Sequence, residues 1–281
     1  MTIRVVGAIA AIICVLGPAL SGCAAGVTES PGASSAQSET PALSPGSPAS
    51  SVSTSSPSGG PAKLPVLRGN SLKPIPAGTY VTPSPDGFFP GLTLTIPDGW
   101  SAVQTDSGEI ELRPADRRDD ALFLWKDAVA VVTNNQHGNV GDVLDGVDSS
   151  ADALVKWLTS TSDFTIVSKP KPIRVGGGIK GVQLTLTTSR TANFADSGCP
   201  DNPRCAALLK DPNHWMSHDD FYAIGGAEVA RIFVTTLPYP GDKHTFWIVL
   251  DAVNRDDVAG FAAEAQPIID SLRLPETYVI N

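Results

Sequence analysis

From Ala24 to about Pro61 the chain is Ser, Pro, Thr, Ala and Gly, with almost no large apolar side chain. A stretch of this composition cannot bury enough surface to offset the entropy of ordering it, so it predicts an extended, unfolded tether. Whatever folds must come from the residues that follow. The span 74–281 carries the periodic apolar segments and suits one domain with a sizeable core.

Ahead of the tether, Arg4 precedes an uncharged apolar run from Val5 to Leu20, and then come Ser21 and Gly22. That order is an export signal, and the run falls short of the roughly 20 apolar residues that span a bilayer comfortably. Leu20-Ser21-Gly22-Cys23 matches the lipobox of bacterial lipoproteins. The match implies that residues 1–22 are a signal peptide and that Cys23 takes a diacylglyceryl group on its sulfur and becomes the new N-terminus. Only a thiol can form that thioether. Two acyl chains, at about 0.8 kcal/mol per buried CH₂, hold a protein stably where one binds reversibly. The expectation is a lipid anchor on the extracytoplasmic face of the cell membrane, with residues 23–73 as lipidated cysteine and linker.

Of the four cysteines, Cys14 leaves with such a signal. Cys199 and Cys205 remain, in "CPDNPRC", where Pro200 and Pro203 bend the chain back. Export permits a disulfide between them. A metal site would want more thiols or histidines at ligand spacing, and a redox site would want C-x-x-C. The formal charge is −9 and no basic run stands out. This excludes nucleic acid as a partner, because neutralising phosphates takes clustered Lys and Arg. On net charge alone an anionic lipid surface repels the body and leaves the anchor to hold it.

"LTLTIPDGW" alternates Leu92, Leu94 and Ile96 with threonines and ends in a turn, the pattern of a half-buried strand. "ALFLW" (121–125) and "AVAVV" (128–132) read as a hairpin around Lys126 and Asp127. Ala151, Leu154, Val155 and Leu158 make one apolar face of a short helix, with Ser149 or Ser150 as N-cap. "FTIVS" (164–168) and "GVQLTLTTS" read as strands. "EVARIFVTTL" and "HTFWIVLDAV" are the strongest strand signals, joined through "PYPGD". A last helix is expected from about Arg255 to Leu272, opened by Asp256 and Asp257 and kinked or cut short by Pro267. Hairpins with one central and one terminal helix predict an α+β fold, an antiparallel sheet with packed helices.

"GGGIKG" (Gly176–Gly181) satisfies G-x-G-x-x-G, but a strand follows it where a dinucleotide site needs a helix, so it reads as a hairpin turn. No cofactor is expected. His214 and His218, four apart with Asp219 beside them, could hold Zn²⁺ on a helix, but Pro212 and Asn213 point to a loop. The remaining histidines, His137 and His244, have no recognisable serine partner, and His244 reads as exposed at a strand start. Trp125, Trp157 and Trp247 read as core, and Trp100 as a cover over one end of the sheet. The stretch 189–222 is long for a connection and gathers His214, Trp215, His218, Phe221 and Tyr222 near the cysteines. It is either an exposed binding loop or a segment folded onto the core.

The lipobox, the Ser/Pro tether and "AGTYVTPSPDGFFPGLTLTIPDGW", with "ALVKWL", a "VGG…KG" hairpin, the Cys-x₅-Cys loop and "AQPIIDSL", together resemble a group of actinobacterial lipoproteins. The arrangement is similar to the mycobacterial LpqN-type family, whose fold resembles the PsbP/Mog1-like α/β/α sandwich. The resemblance implies a non-enzymatic binding or accessory module of the cell envelope, with an envelope protein or lipid as partner. The competing expectation is an envelope hydrolase or metal-dependent enzyme built on His214, His218 and Asp219.

Overall fold

The structure, a computed structural model, describes residues 63–69, 72–83, 89–105, 108–134, 138–194, 204–212, 221–239 and 242–275. It is an α+β domain organised on a seven-stranded antiparallel sheet. In chain order the elements are β1 (Gly78–Val81), β2 (Thr93–Ile96), β3 (Trp100–Thr105), β4 (Glu109–Pro114), β5 (Ala121–Lys126), β6 (Val129–Ala130), α1 (Ala151–Ser160), β7 (Phe164–Val175), β8 (Ile179–Thr188), β9 (Cys205–Lys210), β10 (Tyr222–Gly225), β11 (Val229–Tyr239), β12 (Asp242–Ala252) and α2 (Val258–Ser271). The large sheet runs β3-β4-β5-β12-β11-β8-β7, while β1-β2 and β10-β9-β6 form smaller sheets.

Strict alternation in the central strands makes two cores. On β12, Phe246, Ile248, Leu250 and Ala252 face one side, while Trp247 and Val249 face the other. On β11, Phe233 and Leu237 belong to the first side, and Ala230, Ile232 and Val234 to the second. The first side is covered by α2, through Phe261, Ala265, Ile268 and Leu272, together with Leu92, Leu94 and Ile96 around β2. The second is covered by α1, through Leu154, Trp157 and Leu158, and by Ala206, Leu208 and Leu209 of β9. The helices therefore lie on opposite faces of the sheet.

Several expectations hold. Ser150 caps α1, its side chain accepting from the Ala153 N–H at 3.4 Å. β11 and β12 pair along their whole lengths, from Val229↔Ala252 to Tyr239↔Asp242. The glycine motif is the β7–β8 turn, followed by a strand. Gly176 there has φ +49°, and a Cβ on it would lie 2.5 Å from the Leu272 carbonyl oxygen, so the turn needs glycine to close against the end of α2.

Others need correction. β5 and β6 are not a hairpin: β5 lies between β4 and β12, and β6 pairs with β9 in a separate sheet. Asp127, between them, takes φ +56° and turns the chain out of the large sheet. Folded structure begins before Pro74, since Leu67 is fully buried and its N–H donates to the Val81 carbonyl at 2.8 Å. Trp100 does not cover a sheet end; it opens β3 inside the core and stacks on Phe261 with centroids 6.2 Å apart. Pro267 does not cut α2 short, and the helix continues to Ser271. Pro267 and Ala263 are both exposed, so the Ala263 carbonyl that loses its helical donor is open to water, while buried Ile268 and Ile269 hold the last turn down.

Candidate functional site

The stretch 189–222 is not one structureless loop. Phe194 makes a β-bridge to Cys205, and β9 runs directly on from there, pairing with β10 on one side and β6 on the other. β9 is buried on both faces. Ala206, Leu208 and Leu209 join the core beneath α1, while Cys205 and Ala207 join a small cluster with Val131, Val140 and Phe194. Cys205 is disulfide-bonded; Cys199, its expected partner, lies outside the described residues, as do Cys23, His137, His214, Trp215, His218 and Asp219.

Phe221 and Tyr222, candidate binding residues in a segment that the sequence leaves either exposed or folded onto the core, are not a surface pair. Tyr222 is only 8% exposed, and its ring packs 5.2 Å from Phe123 and 5.1 Å from Trp125. Phe221 is half-buried against Phe194, with ring centroids 5.6 Å apart. The cause is position: Tyr222 starts β10, and a strand laid on a sheet sends alternate side chains inward. These two aromatics finish the core rather than present a contact.

The α1 side carries buried polar groups. Asp163, 3% exposed, accepts from Asn134 Nδ2 at 2.6 Å and from the Thr133 hydroxyl, and its carbonyl accepts from the Ser189 N–H at 2.7 Å. This ties the segment after β6 to the turns flanking β7 and β8. Trp125 and Trp247 face each other across β5 and β12. Among the described residues neither buried indole N–H has an acceptor. An open cleft lies where α1 starts, lined by Ser150, Asp152, Lys180, Val182 and Thr236. Its helix N–H groups are already engaged: Ala151 donates to Thr236 Oγ1 at 3.0 Å and Ala153 to Ser150 Oγ.

His244, expected to be simply exposed, is instead paired. Its Nδ1 lies 2.6 Å from Asp127 Oδ2, and Asp127 Oδ1 accepts from the Thr245 N–H at 2.9 Å. The contact between ring and carboxyl fixes the orientation of the imidazole. The two residues lie far apart in the chain, and no local spacing announces them. The pair orients an imidazole at the start of β12. At the other end, Arg117 joins Asp120, Asp257 and Glu264 at 3.2–3.3 Å, holding the β4–β5 turn on α2. Burial and the neighbouring Asp116 push the Glu264 carboxyl above its usual range despite Arg117.

Among the described residues, no three His, Cys, Asp or Glu side chains gather as a metal site, and no helix is long and apolar enough to cross a membrane. Compared with protein families and with curated proteins, the chain matches none.

Proposed function

We propose that this chain is a lipid-anchored protein of the extracytoplasmic membrane face, acting as a non-enzymatic binding or accessory module of the cell envelope. The observation that carries the reading is Leu20-Ser21-Gly22-Cys23 at the end of an apolar run, followed by a Ser/Pro tether and then a folded domain. The disulfide at Cys205 supports it, because such bonds persist in exported proteins and are rare in reducing compartments. In this reading Cys199 is its partner. Helices on opposite faces of a central antiparallel sheet support a PsbP/Mog1-like α/β/α sandwich as the finer fold.

Fractionation of expressing cells tests the anchor. The wild-type chain should pellet with membranes at high salt, and Cys23→Ala should move to the soluble fraction. Membrane retention of the alanine variant at high salt contradicts the reading.

A further inference from the structure

The acidic excess of the chain is not spread evenly. Between Asp163 and Asp196 there is no carboxylate side chain, and Lys169, Lys171, Arg174, Lys180 and Arg190 all fall in that window. The fold turns this window into the β7–β8 hairpin and places β7 at the outer edge of the large sheet. All five cations are exposed, and none makes an ion pair among the described residues. Arg174 and Lys180 stand directly opposite each other in the hairpin register. Like charges so placed, with Cβ atoms about 5 Å apart, destabilise a sheet. Arg174 donates to the Gly178 carbonyl at 3.3 Å across the hairpin turn, while Lys169, Lys171, Lys180 and Arg190 extend the positive charge along the hairpin.

The edge is also protected from pairing with another strand. Pro170 and Pro172 remove backbone donors and the lysines discourage a second sheet, so the edge offers charge rather than a free ladder. On the same strand, Val167 is 37% exposed.

We propose that the β7–β8 edge docks the domain on an anionic lipid surface, with headgroup phosphates as its ligands. The proposal rests on the lipid-anchor reading above. If the roughly 40 residues from Cys23 to Lys63 behave as the tether their composition predicts, their reach is about 35 Å. Within that distance a weak surface contact becomes intramolecular, with an effective concentration on the order of millimolar. Each Lys or Arg within a Debye length of the surface adds attraction, while the acidic remainder is repelled. Segregated this way, the charge orients the domain instead of expelling it, which reverses what net charge alone suggests.

The test uses the chain from residue 23 onward with Cys23→Ala, which keeps every described residue and carries no acyl chain. It is floated with vesicles of phosphatidylglycerol and phosphatidylcholine, and with phosphatidylcholine alone. The expected result is binding to the anionic vesicles only, lost between about 0.05 M and about 0.5 M salt. K169E/K171E/R174E/K180E should weaken that binding by about tenfold or more at an unchanged melting temperature, whereas K156E on α1 should not. Should the fourfold glutamate variant not fold, glutamine at the same positions must still weaken binding. Equal binding to neutral vesicles, no binding to anionic ones, indifference to the substitutions, or binding to a soluble polyanion in place of vesicles each overturns the proposal. Failure of the anchor reading would show separately, as an unacylated Cys23 in the full chain, and leaves the vesicle result standing.

Discussion

The two faces of the seven-stranded sheet are built differently. The α2 face is sealed mainly by aliphatic and aromatic side chains, from Leu94 and Phe246 to Phe261 and Leu272, with Thr82 and Thr235 buried among them and their hydroxyls spent on the Phe89 and Lys180 carbonyls. The α1 face buries Asp163 and two indole N–H groups and receives β9 with its disulfide-bonded cysteine. A face that only needs to be stable can be closed with hydrocarbon. A face that must hold irregular segments in one place uses directional groups, which tolerate fewer substitutes.

The contrast can be broken by mutation. The largest effect should come from Phe261→Ala, which empties the centre of the α2 core beneath Trp100. A cost of about 3–5 kcal/mol is expected in denaturant unfolding; a loss below about 1 kcal/mol would show that this face is not a sealed core. Next is Cys205→Ala, for which loss of the loop closure predicts about 2–4 kcal/mol. Reductant should lower the wild type towards the variant and leave the variant itself unmoved. The smallest effect is at the start of α1, where Ser150→Ala removes the cap for about 1 kcal/mol.

That same start has a pH signature. Asp148 accepts from the Ser150 N–H at 2.6 Å, and this bond holds its carboxyl below the ordinary value. A lowered carboxyl pKa contributes stability above the ordinary value of 3.8, lost as pH falls through the folded one. Glu264 has the opposite sign: its contribution is present on the acid side and is lost as pH rises through its raised value. Glu264→Gln should therefore remove a fall in stability that sets in as pH rises above 4.5, and Asp148→Asn one that sets in as pH drops below 3.8.

Much of the frame was legible in the chain. The β11–β12 pair announces itself by alternation, and α2 by its apolar stripe, because each repeats a simple period over ten or more residues. The small sheet was not legible. Its middle strand, "CAALLK", is buried on both faces and so has no alternation to read, and "AVAVV" alternates without saying which sheet it joins. The Asp127–His244 pair depends on a fold that brings distant strands together, so no spacing reveals it. The basic hairpin was visible as an acid-free window, yet net charge concealed it, because the cations are spaced along two strands rather than written as a run.

The lipid proposed on Cys23 is what would place this domain at a membrane. Mass spectrometry of the chain purified from its own cells, after digestion, measures this at the residue itself. The expected result is an N-terminal peptide that begins at Cys23 and carries a diacylglyceryl group on its sulfur. An N-terminal peptide that starts at another residue, or a Cys23 recovered with an unmodified thiol, would contradict it.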